Sequence, residues 1–445
     1  MKTRKAIVVT LDGWSANFLG PYGNTWVETS ALNGLARDAL LVEHAYADTI
    51  DLASSLASFW QGHHTLCPKD AAISLGERLA AAEMATHLIT DDEAVARHPL
   101  AETMSSVTFA EVPASQQPAE DAALTQFGQF LASVAETIDD DSSDCVWIHA
   151  KAFAGSWDAP FELRMALTDE EEDPDPTRSV DPPNAAAISD DDPDAAWNLA
   201  RSYAAQVMSV DRCLEFLLEV IDEHPVWRDA LLIVTSPRSF PLGEHGTVGL
   251  PADESDTPQD SASRLHGESL HIPLFIRSPQ DKSLLLRSQS IVQPACIYST
   301  LLDWFGIPRE EVQSGDDTTA QTIGPVAVGA RGLMGLFHRD GDASHVALKI
   351  EQQLNRAVSQ SGSELSLRTP GWFFKTSGVA DAMGNAKVEL YVKPDDRWEA
   401  NEVADRCPEV VETMQAVLAA YVSAAKSKEL DKLGELPGLL FTSTI

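Results

Sequence analysis

Short runs of β-branched and other apolar residues alternate along the chain with stretches whose apolar positions recur at helical spacing. The runs Ala6 to Leu11, Thr86 to Thr90, Cys145 to His149, Leu231 to Ser236 and Leu274 to Arg277 predict buried strands. Between them, Thr29 to Ala39, Leu75 to Ala82, Glu120 to Glu136 and Ala195 to Asp222 predict helices. In the longest of these Leu199, Tyr203, Val207, Val210, Leu214 and Leu217 fall on one face, a stripe that serves a core. Strands alternating with helices in this way predict an α/β fold around a largely parallel sheet.

Three segments break the alternation. Asp169 to Asp194 is acidic and proline-rich, with neither EF-hand nor nonapeptide spacing, and reads as a solvated insertion loop. Gly249 to Ser263 reads as a second polar loop. From about Gly329 the pattern shifts to Ala347 to Ile350, Gly371 to Lys375 and Val388 to Val392, followed by a helix near Pro408 to Ala425. This divides the chain into an N-terminal α/β domain, residues 1–328, and a smaller C-terminal α+β subdomain, residues 329–445.

Charge and cysteine content narrow the function classes. The 445 residues carry 68 acidic and 32 basic side chains, a formal charge of −36. Nucleic acids and anionic membranes both require a positive field, so neither is expected as a partner. Cys67, Cys145, Cys213, Cys296 and Cys407 are widely spaced and odd in number, which predicts reduced thiols in a cytoplasmic protein rather than a disulfide framework or a zinc site. The basic start Met1 to Lys5 is followed by an apolar run that Asp12 cuts short, so it reads as a strand and not a signal peptide.

Several motifs carry a family resemblance. Val8 to Trp14, Leu19-Gly20-Pro21-Tyr22-Gly23-Asn24 and Glu28 to Ala36 resemble the opening of the sulfatases, members of the alkaline phosphatase superfamily. Ser58 to Gly62, Thr86 to Asp92, Leu242-Gly243-Glu244-His245-Gly246, Glu268 to Leu274, Ser299 to Pro308 and Leu390-Tyr391-Val392 with Asn401-Glu402 follow in the family's order, over nearly the whole chain. The resemblance implies a three-layer sandwich with a central, largely parallel sheet and a smaller C-terminal α+β subdomain. It also implies a site in which paired aspartates hold a divalent cation and an oxygen nucleophile attacks a sulfate or phosphate ester.

The residues that such chemistry needs are largely replaced. Counting back ten residues from Gly62 places the family nucleophile on Leu52, and leucine cannot attack an ester. The first metal-binding aspartate corresponds to Asp12, but the second is Gly13, and Pro237 and Arg238 stand where the family has Asp-His. Ala154 replaces the substrate-binding histidine, and Arg264 is the nearest cation to the position of the family's lysine. One carboxylate is too few to hold calcium or magnesium against hydration, so no cofactor is expected unless other ligands rebuild the site around Asp12. An arginine at 238 would instead place fixed positive charge beside Asp12.

Asp12, Ser55, Arg238, His245 and Arg264 are thus the candidates to line a ligand pocket, with Asp12 also the remnant of a metal site. Ser54 and Ser55 sit where a helix N-cap is expected, His245 reads as a hydrogen-bonded scaffold residue, and His63-His64 reads as a solvated loop. Three functions stay open. The chain is a sulfatase-like protein that has lost catalysis and binds a small-molecule or protein ligand, an active ester hydrolase with a rebuilt site, or a structural, oligomer-forming subunit.

Overall fold

The computed structural model describes residues 4–67, 72–139, 142–168, 173–187, 193–251, 264–281, 285–308, 332–337, 354–380 and 386–442. Its strands, in chain order, begin with β1 (Ala6–Leu11), β2 (Leu40–Tyr46), β3 (Thr86–Thr90), β4 (Ser106–Phe109) and β5 (Cys145–Ala150). There follow β6 (Ala186–Ala187), β7 (Leu231–Thr235), β8 (Thr247–Val248), β9 (His271–Ile272), β10 (Leu274–Arg277) and β11 (Leu286–Val292). The last four are β12 (Ala357–Ser361), β13 (Glu364–Arg368), β14 (Trp372–Ala380) and β15 (Ala386–Val392).

The main sheet runs in the order β11-β2-β10-β7-β1-β5-β3-β4, with β9 paired to β2. Strands β1, β3, β4, β5 and β7 are mutually parallel, as are β2 and β11. Strand β10 is antiparallel to both β2 and β7 and joins the two parallel groups. The sheet is therefore mixed and mostly parallel.

Because side chains alternate across a strand, β1 feeds two cores. Ile7, Val9 and Leu11 enter one, Ala6 and Val8 the other. The first core is closed by α1 (Ser30–Asp38) and by two helices further along the chain. The second is closed by α2 (Leu52–Gln61) and α3 (Leu75–Ala81). Next come α4 (Glu93–Ala96), α5 (Gln126–Asp139), α6 (Phe161–Ala166), α7 (Pro193–Glu223), α8 (Gly267–Leu270), α9 (Ala295–Phe305) and α10 (Pro408–Lys426). Helices α5 and α7 cover the same face as α1, while α9 joins α2 on the other, which makes three layers. In α7, Tyr203, Val207, Val210, Leu214 and Leu217 are buried.

Strands β12 to β15 form a separate antiparallel sheet. One face packs on α10 through Leu367, Phe374 and Leu390 against Met414, Leu418 and Tyr421. The other sends Phe373 and Tyr391 into the second core of the main body. No helix among the described residues is long and apolar enough to cross a membrane.

Several expectations change. Strands β2, β4, β11, β12 and β13 were not predicted, and α5 starts at Gln126 because a separate turn, Ala122–Leu124, precedes it. The segment Ala347 to Ile350 and most of the loop at Gly249 to Ser263 lie outside the described residues, as does the expected boundary at 328/329. The described part of the acidic segment, residues 173–187, is more than a solvated loop. The buried Arg164 donates to the Thr177 and Ser179 carbonyls at 2.6 and 2.8 Å, and the buried Arg201 to Pro174 O at 2.6 Å. Val180 is buried, and β6 pairs with β8.

Candidate functional site

Asp12 follows the last residue of β1, held by its backbone N–H on Ala150 O of β5 at 3.0 Å. It is fully buried. Arg238 lies three residues beyond the end of the neighbouring parallel strand β7, so the sheet brings the two side chains together. Arg238 Nε and Nη2 donate to Asp12 Oδ1 and Oδ2 at 2.8 and 2.9 Å, a bidentate fork. The remaining donor, Nη1, reaches the carbonyls of Ile50 and Pro251 at 3.0 and 3.1 Å. Burial opposes charge on this guanidinium, but the nearby Asp12, Asp51 and Asp92 outweigh it and raise its pKa further.

Leu52 is the first residue of α2 and packs against the second core. The N-cap is Asp51, which accepts from Ser54 N at 2.7 Å, so neither serine caps the helix. Ser55 is fully buried one turn in, and its hydroxyl donates to Pro237 O at 2.8 Å. Gly13 has φ +77°, and a Cβ there would meet Leu250, Phe153 and Phe240 at 3.0 to 3.2 Å. The position of the second family aspartate is thus both left-handed and crowded. His149 on β5 is buried, with Nδ1 3.0 Å from Thr10 Oγ1 and Nε2 without a partner, and burial lowers its pKa.

These residues do not fit a divalent cation. A hard cation needs oxygen ligands on its inner faces. Both oxygens of Asp12 are taken by a guanidinium, whose positive charge repels a cation, and positions 13 and 237 offer no side-chain donor.

A second cluster lies elsewhere. His245 and His266 stack at 3.6 Å, and with Glu399 they are the one group among the described residues with the spacing of metal ligands. Their atoms are engaged. His245 Nδ1 lies 2.9 Å from Glu268 Oε2 and Nε2 3.2 Å from Glu399 O. His266 Nδ1 lies 3.0 Å from Glu399 Oε2, while its Nε2 contacts Lys375 Nζ. An ammonium inside the cluster makes it a charge network and not a metal centre. Burial disfavours the Glu399 carboxylate, but His266 and Lys393 overcome this and hold its pKa at about 2.

His245 also lines a cavity of about 420 Å³, which Asp12, Ser55, Arg238 and Arg264 do not. Arg264 is buried apart from them, its backbone N–H on Glu364 Oε2 at 3.2 Å and its guanidinium without a hydrogen bond. His64 is not in a solvated loop. It is buried, with Nε2 2.7 Å from Val358 O of β12, a contact across the chain that adjacent histidines in a sequence do not announce. Sequence reasoning also missed Arg368 and Arg397 on the cavity wall, neither of which belongs to a family motif.

Residues 169–307 match the family model of the sulfatases. No curated protein matches the chain significantly. Among solved structures, the phosphonate monoester hydrolase of Agrobacterium radiobacter is similar at 13% identity, with 96% of each chain covered and a TM-score of 0.67. The phosphonate monoester hydrolase of Silicibacter pomeroyi gives 14%, 96% of each chain and 0.65. A 2-O GAG sulfatase gives 13%, 98% of this chain, 95% of that one and 0.62. The chain thus has the fold of these sulfatases and phosphonate monoester hydrolases over nearly its whole length, and within it residues 169–307 carry the sulfatase family match.

Proposed function

We propose that this chain has exchanged the ester-hydrolase centre of its fold for a fixed ion pair and acts by binding a small molecule or a protein. The observation that carries this reading is the bidentate Arg238–Asp12 pair at 2.8 and 2.9 Å. It supplies internally the positive charge that a metal would bring, and it leaves no open coordination position for an ester oxygen or an activated nucleophile. Leu52, packed against the core, and the committed hydroxyl of Ser55 agree with it.

The test is twofold. Calcium and magnesium titrated into the full chain are expected to leave its thermal unfolding unshifted, since an ion that binds only the folded state must raise the melting temperature. Aryl sulfate, phosphate monoester and phosphonate monoester substrates are expected to turn over no faster than buffer. A saturable metal-induced shift, together with turnover that Asp12→Asn abolishes, would overturn the reading in favour of a rebuilt hydrolase.

A further inference from the structure

The cavity of about 420 Å³ lies between the Gly20–Gly23 turn, the end of β2 and the segment from Lys393 to Glu399, and contains neither Asp12 nor Arg238. Four cations and four glutamates reach its wall, but they do not pair off. Glu43 holds Arg287 at 3.1 Å and Glu399 holds Lys393 at 3.0 Å, while Glu268 is engaged by His245 at 2.9 Å. Burial and the adjacent Glu268 push the Glu244 carboxyl up to about 7, so it carries only part of a charge at neutral pH.

Arg368 and Arg397 are left without a carboxylate partner among the described residues. Arg368 is only 6% exposed, and its Nε and Nη1 make no hydrogen bond. It lies over the ring of Tyr46 at 5.8 Å. Arg397 makes only long contacts, to Asn17 Oδ1 at 3.4 Å and Tyr22 O at 3.3 Å, and stacks on Trp398 at 5.1 Å. A buried guanidinium with no counter-charge is costly unless something supplies one.

The neighbours register the same excess. Burial and then Arg368 push His44 down to about 4, and its Nδ1 is buried without a partner. Burial also pushes His271 down to about 3, with Arg397 and Arg368 adding to it. Lys393 is lowered by burial and by Arg368 despite its bond to Glu399.

We propose that this cavity binds a small organic oxyanion, its carboxylate or phosphate group held by Arg368 and Arg397 and its body lying against Tyr46 and Trp398. Guanidinium groups suit both planar and tetrahedral oxyanions, because their donors match paired oxygens. The site deepens the binding reading above but rests on different residues. Hydrolysis assays and anion titrations therefore fail or succeed independently.

Isothermal titration of the full chain with inorganic phosphate and with succinate, at constant ionic strength in sodium chloride, tests the proposal. Saturable binding in the millimolar range or tighter is expected for one of them, phosphate if the group is tetrahedral and succinate if it is a carboxylate. Arg397 is exposed, so Arg397→Gln should fold and weaken binding by about tenfold or more. Arg368→Gln should abolish binding and Arg368→Lys restore part of it, with folding followed by circular dichroism. The surface substitution Arg97→Gln should change nothing. No saturation with either anion, or equal affinity in Arg397→Gln and the parent, would overturn the proposal, and the Arg397 result decides even if Arg368→Gln does not fold.

Discussion

Arginine at position 238 makes Asp12 dependent on a single partner. The pair is fully withdrawn from water, so removing either member strands a buried charge. Arg238→Met and Asp12→Leu are each expected to cost about 3–5 kcal/mol of stability in urea denaturation. The double variant Asp12→Leu with Arg238→Met should lose less than either single change, because an apolar pair leaves no charge unpaired. Additive losses would mean that the two side chains stabilise the fold separately. Asp12 and Arg238 were picked out in the sequence by the family resemblance, which places both at metal-ligand positions after two apolar runs. The fork between them was legible only as chemistry. His64 and Ser55 were misread because their partners, Val358 O and Pro237 O, lie far along the chain and no local pattern encodes them.

At the level of elements, α2 shows how tightly the segment after Asp51 is packed. It closes on Gly62, whose φ of +67° completes the left-handed cap. A Cβ at this position would come within 2.5 Å of the Tyr298 ring on α9. Gly62→Ala is accordingly expected to lower stability by about 2–4 kcal/mol, combining left-handed strain with overpacking, and thermal denaturation measures it. Strands β1, β3 and β10 matched their apolar runs residue for residue. Strand β2 escaped notice because Glu43 and His44 interrupt its apolar run to meet Arg287 and the cavity. Strand β11 carries four consecutive polar residues, Arg287 to Ser290, between its apolar ends, and β4 is an exposed edge. In each case pairing in the sheet, and not composition, makes the strand.

For the molecule as a whole, buried ionisable groups shape stability against pH. Burial raises Asp91 and Asp211 to about 6, above their unfolded value, so the folded state holds these protons longer and loses stability as pH rises through that window. His44 and His271, lowered by burial to about 4 and about 3, act in the opposite sense: their contribution is lost as pH falls below the unfolded value. Asp91→Asn removes one of the falling contributions. It should therefore gain stability over the parent at pH 7, up to about 3 kcal/mol, and show no gain at pH 4, as melting curves at the two values will report. The fold class was legible throughout because alternation of strand and helix is a property of the entire chain, whereas the cavity is assembled from distant turns and strand ends. The same topology has a consequence during synthesis. Strand β1 sits between β5 and β7, pairing Ala6 with Cys145 and with Leu231. At translation rates of about 5–20 residues per second, its six largely apolar residues leave the ribosome on the order of ten seconds or more before the second neighbour exists. The centre of the sheet is thus the first of its strands made and among the last to be enclosed, and one edge of an apolar strand stays open to association with other chains until β7 is made.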